Sequence, residues 1–471
     1  MENKPIEQRQ GAAFGIMQSI PWRILLPGLR KLKYARSSSL ILVYGFAAMI
    51  AIGTVLLLLP IATKTGETTR FIDALFTATT SVCVTGLVVV DTANHWSLFG
   101  QAVILSLIQL GGFGFMTSAT IFLLTLGRRI SLRERLLIGE SLGMEKFRGL
   151  GRIVWQMAVF TILIEIAGTA IFYFGTSIGK LDMPIWKSVF HTISAFNNAG
   201  IDIFGNFSSL TEYQKDPAVL IVTSALIILG GISFLVVVDI IKTRKWLFLS
   251  LDSKLVLYTT ALLLFLGTAV FLLTEYSNSA AMGQLSPLER VLNAFFQSVT
   301  ARTAGFNAID MTVIGDYALF FTMLLMLVGG ASGSTAGGIK VNNFSMLLLT
   351  VWSSLKGKEN PSAFGREFHI QQIHRALAVV VLSVFLVSVA VFFLTLTENF
   401  KFIDLLFESV SAFGTVGLST GITPALSVAG RLIIITVMFF GRLGPLTITL
   451  ALVQRQNIYG TRYPRETVRI G

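Results

Sequence analysis

Four short segments share a composition that suits one chemistry, the coordination of a bare monovalent cation by peptide oxygens. They read Cys83-Val84-Thr85-Gly86, Asn197-Asn198-Ala199-Gly200, Arg302-Thr303-Ala304-Gly305 and Gly414-Thr415-Val416-Gly417. Each is small, ends on glycine and holds no carboxylate. Ligands must then come from carbonyls, which bind weakly enough for an ion to leave again. A ring of such carbonyls can replace the hydration shell of a potassium ion. Glycine is needed because consecutive carbonyls reach one axis only with dihedrals that a Cβ disfavours.

The elements that must position these turns repeat with them. Before each lies an amphipathic stretch too short to cross a bilayer: Phe71–Ser81, Ile185–Ala195, Leu288–Val299 and Phe402–Ala412. Aligned on Gly86, Gly200, Gly305 and Gly417, the tenth residue upstream is Phe in every copy (Phe76, Phe190, Phe295, Phe407). The following apolar run carries Gly111-Gly112, Gly230-Gly231, Gly329-Gly330 and, in the last copy, Gly441-Arg442. Two registers agreeing across four copies define a unit of span, re-entrant half-helix, glycine turn and span. The short helices end at the axis, so their C-terminal dipoles add negative potential there.

Composition requires lipid around these units. Hydrophobic residues make up 53% and charged residues 13%, about half the charge density of a soluble domain, so an ordinary cytosolic enzyme is excluded. Apolar runs near the required length of about 20 residues are Leu40–Pro60, Ser97–Leu126, Ile153–Phe174, Ala218–Ile241, Leu255–Thr274, Tyr317–Val328 continued at Asn342–Trp352, Ala376–Thr395 and Val428–Val453. The expected architecture is an all-α polytopic membrane protein of eight spans and four re-entrant pore helices around one pore. Its parts are a cytoplasmic tail (1–39), repeats at 40–152, 153–254 and 255–375, and a fourth repeat with a cytoplasmic tail (376–471).

Alternate connectors hold 27 of the 37 Lys and Arg, which places both termini in the cytoplasm by the positive-inside rule. The net charge of +12 is thus a juxtamembrane feature, suited to anionic lipid or an acidic cytosolic partner, and no nucleic-acid surface is expected. The single cysteine, Cys83, excludes an internal disulfide and a paired-cysteine metal site. No His pair, nucleophile elbow or carboxylate cluster suggests an enzyme. There is neither a phosphate-binding P-loop nor a Gly-x-Gly-x-x-Gly after a strand, so nucleotide regulation would need a partner chain.

The sixth span breaks over Gly329, Gly330, Ala331, Ser332, Gly333, Ser334, Thr335, Ala336, Gly337 and Gly338. Such a segment cannot stay helical in lipid and must be buried or face water. It is expected to form a gating loop over 329–340, ending at Lys340. Arg442, in mid-membrane, reads as an electrostatic barrier or a counter-charge to that loop; the competing reading pairs it with a buried carboxylate, Glu165 or Glu408. Glu165 itself is assigned to helix packing. Arg302 is expected to point behind its turn toward a carboxylate or carbonyl. Asp91, Asp202 and Asp310, just beyond the turns, are either cation-enriching charges at an outer mouth or ordinary loop charges.

The four glycine turns, Thr-Ala-Gly-Phe at 303–306 and Gly-Ser-Thr-Ala-Gly-Gly-Ile-Lys at 333–340 resemble the Trk/Ktr/HKT superfamily of potassium transporters, over nearly everything from Leu40 onward. Eight spans without an added N-terminal pair look more like the Ktr membrane subunit. The resemblance implies a potassium filter at Val84, Thr85, Gly86, Asn198, Ala199, Gly200, Thr303, Ala304, Gly305, Thr415, Val416 and Gly417. Glycine at 86, where the sodium-selective plant branch has serine, favours potassium. It further implies a homodimer with one pore per chain, a cytosolic ring of nucleotide-binding RCK subunits, and sodium dependence. An ion-coupled symporter remains the competing function, though parallel rather than inverted repeats count against it.

Overall fold

The computed structural model describes residues 26–114, 117, 118, 120, 150–177, 183–358 and 360–444. The basic connector within 121–149 and the C-terminal tail beyond 444 lie outside the described residues. The described residues are mostly helical: α1 (Leu26–Leu58), α2 (Phe71–Cys83), α3 (Leu98–Phe113), α4 (Leu150–Ser177), α5 (Ile185–Phe196), α6 (Pro217–Gly231), α7 (Phe234–Thr243), α8 (Leu251–Glu275), α9 (Pro287–Thr300), α10 (Asp316–Leu327), α11 (Val341–Leu355), α12 (Ile370–Thr397), α13 (Phe402–Gly414) and α14 (Val428–Leu443). A two-residue hairpin, Ser362–Ala363 with Arg366–Glu367, lies between α11 and α12. The first helix already includes Leu26, so the expected boundary at 40 marks the start of the apolar run and not of the helix.

Helix starts follow local chemistry. Ser97 and Ser427 accept hydrogen bonds from the amides of Gly100 and Gly430, and Asp216 caps α6 with Pro217 in the first turn. Ser286 and Glu289 form a reciprocal capping box on α9. Each satisfies donors that a helix leaves open at its N-terminus.

Four helices are long and apolar enough to cross a bilayer unaided: Leu40–Leu58 within α1, Gly151–Gly175 within α4, α8 and α12. They carry exposed large apolar side chains, among them Phe265, Leu273, Phe385 and Leu396. A soluble protein would not present such belts, so these faces meet lipid. The chain is an all-α membrane protein.

The remaining crossings depart from the expected pattern. Only the run after α9 was expected to break, yet the one after α5 bends by 93° between α6 and α7. Its break falls at Ile232 and Ser233, where the Ser233 hydroxyl caps α7. Helices α3 and α14 both stop at a glycine of positive φ, Gly114 (77°) and Gly444 (82°). The apolar runs continue past these points, so hydropathy alone does not register the breaks.

The short helices α2, α5, α9 and α13 hold the centre. Each packs against the long helix before it, and α3, α6, α10 and α14 each contact the short helix of a neighbouring unit: α3 with α5, α6 with α9, α10 with α13, α14 with α2. The last contact closes the circle and carries the ion pair between Arg431 and Asp73. Close approach is set by glycine. A Cβ on Gly111, Gly230 or Gly441 would fall about 2 Å from the carbonyl oxygens of Val82, Phe196 and Phe413 respectively. The first glycine of three pairs therefore seats its helix on the end of a short one.

Candidate functional site

The four turns meet in one closed ring. A Cβ on Gly86 would lie 2.7 Å from the Ala199 oxygen, one on Gly200 2.7 Å from that of Ala304, one on Gly305 2.3 Å from that of Val416, and one on Gly417 2.3 Å from that of Thr85. Each glycine thus faces the peptide oxygen just ahead of the next glycine. All twelve residues expected here are buried: Val84, Thr85 and Gly86; Asn198, Ala199 and Gly200; Thr303, Ala304 and Gly305; Thr415, Val416 and Gly417.

Sequence reasoning put the backbone strain on the glycines alone. The residue two positions earlier shares it: Val84, Asn198, Thr303 and Thr415 have φ of 56°, 56°, 75° and 49°. Three of these are β-branched, and such residues adopt positive φ only under strong constraint. The constraint comes from hydroxyls in the last turn of each short helix. Thr80 and Ser411 accept hydrogen bonds from the amides of Gly86 and Gly417 at 3.0 and 3.1 Å. Ser194 and Thr300 instead donate to the Ile201 and Phe306 carbonyls just past the glycine. The hydroxyls stand six residues ahead of the glycine at Thr80, Ser194 and Ser411 and five ahead at Thr300. The odd spacing of Thr300 also corrects the Phe alignment. Phe296 is fully buried like Phe76, Phe190 and Phe407, whereas Phe295 is only half-buried. The Thr85 and Thr415 hydroxyls have no protein partner among the described residues, leaving two free oxygens within the turns.

Directly against the ring lies the broken segment. Gly337 and Gly338 press on turn four, where added Cβ atoms would meet Thr415 Oγ1 and Gly414 Cα, and Gly329 faces Thr303. The loop is buried in protein, as irregular backbone at membrane depth must be. Gly329 N–H donates to Ile339, Val341 N–H to Gly330, and Ala331 and Thr335 N–H to the Gly231 and Gly230 carbonyls. The Ser332 amide donates to Asn342, and the Ser233 hydroxyl to the Gly333 carbonyl. Ser334 bonds back to Ala331, Lys340 Nζ donates to the Ala336 carbonyl, and the Asn198 amide lies 3.2 Å from the Thr335 hydroxyl.

Two arginines hold this loop by carbonyls alone. Arg302 points behind its turn and donates to the Gly329 carbonyl at 3.0 Å. Arg442 donates to the Thr335 carbonyl of the loop and to those of Gly111 and Gly112 at the end of α3. Pairing of Arg442 with a carboxylate is overturned. Glu165 accepts from Asn197 at 3.2 Å and lies beside Gln109, while Glu408 accepts from Ser419 and Thr423. Hydroxyls and amides had already satisfied both carboxyls. The acidic residues past the turns each accept backbone amides: Asp91 from Asn94 and Phe207, Asp202 from Phe204, and Asp310 from Thr312.

The four turns thus bring peptide oxygens into one closed ring, with the broken loop and two arginines packed directly against it. The family model described as TrkH, cation transport protein, matches residues 13–458. The Ktr system potassium uptake protein B of Bacillus subtilis is 42% identical over 439 residues, 92% of this chain and 96% of that protein. The potassium/sodium uptake protein NtpJ of Enterococcus hirae is 39% identical across 91% and 96% of the two chains. The crystal structure of the potassium transporter TrkH from Vibrio parahaemolyticus shares the fold, with a TM-score of 0.70 at 17% identity, covering 89% of this chain and 85% of that one. The chain belongs to the TrkH family of cation transport proteins, within the Trk/Ktr superfamily and on its Ktr-B-like side.

Proposed function

We propose that this chain is the ion-translocating subunit of a potassium uptake system in the cell membrane, passing potassium passively down the membrane potential. Four membrane–pore–membrane units, 40–152, 153–254, 255–375 and 376–471, surround one pore. The filter is the twelve-residue ring of turns, and the gate is the loop 329–340 with Arg442. The observation that carries this reading is the closed ring, in which each glycine faces the preceding peptide oxygen of the next turn. The names of the Bacillus and Enterococcus relatives support potassium as cargo.

The word "system" in the Bacillus relative's name supports a multi-component assembly, which we take to be a homodimer on a cytosolic ring of nucleotide-binding subunits. Sodium in the Enterococcus relative's name supports sodium dependence. Both termini are assigned to the cytoplasm.

Purified protein in vesicles, given a membrane potential but no proton or sodium gradient, is expected to take up rubidium or potassium. Gly86→Ser is expected to reduce preference for potassium over sodium by about tenfold, corresponding to roughly 1.4 kcal/mol. Its Cβ must enter a space bounded by the Ala199 oxygen and the Gly200 and Gly417 Cα atoms. Obligatory proton coupling, with selectivity untouched by this change, would establish the competing symporter.

Asp202, on the outer loop two residues past Gly200, adds a pH dependence. Burial raises its carboxyl to about 6, with Asp91 adding to the rise, against hydrogen bonds from the Phe204 amide and Ser209. The group is charged above that pH and neutral below it, so attraction for cations at the outer mouth fades as external pH falls through about 6. Rubidium uptake at low concentration should drop roughly threefold between pH 7 and 5, the scale of one charge acting across partly screened water. Asp202→Asn should be slower at pH 7 and insensitive to this change.

A further inference from the structure

The fourth turn is held from behind by a carboxyl that the transport path does not use. Glu408 lies on α13, nine residues before Gly417, and its side chain is fully buried. One carboxyl oxygen accepts the Ser419 hydroxyl and the other accepts that of Thr423 at 2.9 Å. The two hydroxyls are themselves 3.0 Å apart, and Ser419 Oγ accepts the Gly421 amide at 2.9 Å. No cationic side chain forms an ion pair with Glu408 among the described residues. Residues 415–418 are therefore clamped at both ends. Ser411 fixes the Gly417 amide from the helix side, and Glu408 fixes the chain that leaves the turn.

Glu165, another buried carboxyl near the ring, acts differently. On the long helix α4, among the described residues it reaches only the Asn197 side chain and Gln109, with no bond to the chain leaving turn two. Turn four also faces the broken loop, with Gly337 seated on Thr415 and Gly338 on Gly414. Without a fixed exit segment, each displacement of that loop would move the Val416 and Gly417 carbonyls. A buried hydrogen-bond network specifies one geometry when every member is satisfied.

We propose that Glu408 is a positioning residue for ion selectivity, keeping turn four in register with the ring while the loop below it moves. This rests on the filter reading of the ring. A carboxamide of the same length keeps one acceptor oxygen and presents an NH2 that can donate to the second hydroxyl once that hydroxyl rotates, so it should largely serve.

The test compares Glu408→Ala, Glu408→Gln and the double variant Ser419→Ala/Thr423→Val in vesicles, reading potassium against sodium uptake alongside thermal stability. Glu408→Ala is expected to lose about tenfold in potassium preference and Glu408→Gln to recover most of it. Combining Glu408→Ala with the double variant should cost no more than either alone, because both remove the same contact. Stability lowered with selectivity unchanged, or losses that add, would overturn the proposal. If Glu408→Ala does not fold, the double variant must still lose selectivity for the brace to stand. Gly86→Ser separates the two ideas: selectivity lost there but kept in every Glu408 and hydroxyl variant removes the brace alone, whereas selectivity kept in Gly86→Ser removes the filter reading beneath it.

Discussion

Gly417→Ala is expected to abolish potassium uptake, by at least a hundredfold, in a chain that still folds and inserts. At φ 96° glycine occupies a region that L side chains rarely adopt. The new Cβ would stand 2.3 Å from the Thr85 oxygen, 2.8 Å from Gly86 Cα and 3.1 Å from its carbonyl carbon. All three are backbone atoms, so no side chain can swing aside. Strain of this kind costs of order 1–3 kcal/mol at one residue, and relief requires moving the turn. Gly86 and Thr85 move with it, which displaces oxygens in two of the four turns at once. Folding survives because the short helices are seated by contacts outside the turns, through Gly111, Gly230 and Gly441. Rubidium uptake together with a size-exclusion profile checks both halves. A monodisperse variant with normal flux would contradict the ring as the site of dehydration. Gly66→Ala is the control, because that glycine also has positive φ but nothing within 4 Å of an added Cβ; it should transport normally.

Much of this site could be read from residue types because glycine, small polar residues and chain period report directly on backbone needs. The turns end on Gly86, Gly200, Gly305 and Gly417 since no other residue allows their approach, and a fourfold period is visible without any coordinates. Side-chain hydrogen bonds were less legible. Thr80, Ser194, Thr300 and Ser411 sit in amphipathic helices where a hydroxyl has many possible partners, and only the fold shows that each bonds across the turn. The partners of Arg442 were open for a related reason. A buried cation suggests a carboxylate, yet a broken helix exposes carbonyls at membrane depth that serve as well.

The bend after α6 was hidden for a different reason. Hydropathy records whether a segment tolerates lipid, and Ile232-Ser233-Phe234 interrupts an apolar run by a single hydroxyl. What turns the chain there is the loop beyond it. The Gly230 and Gly231 carbonyls, which a straight helix would have used for its next turn, accept instead from Thr335 and Ala331. Ser233 then starts α7 and donates its hydroxyl to the Gly333 carbonyl. The bend and the loop are thus one structure, made of residues a hundred positions apart in sequence.

That shared structure makes Arg442→Ala the second large expected effect, in the opposite direction. Among the described residues, Arg442 is the one side chain that ties the loop carbonyl of Thr335 to Gly111 and Gly112 on α3, while the Gly230 carbonyl of α6 holds the same residue by its amide. Removing it frees Thr335 on one side while leaving the other contacts intact. Charge-assisted hydrogen bonds contribute about 1.5–3 kcal/mol each. On the gating reading proposed above, losing even part of one such bond shifts the loop equilibrium by tenfold or more. It also takes a positive charge from beside the path, lowering the barrier to cations. Uptake in vesicles without any regulatory partner should therefore rise about tenfold, and added partner should change it less than it changes the parent protein. Arg442→Lys separates the two contributions. Lysine keeps the charge but cannot span three carbonyls with a fixed fork, so it should loosen the loop while preserving the electrostatic barrier and give an intermediate rate. Unchanged flux and unchanged response to the partner in Arg442→Ala would mean that the loop is held closed by its bonds to Gly230, Gly231 and Ile339 alone. The arginine would then be only a link between α14 and α3.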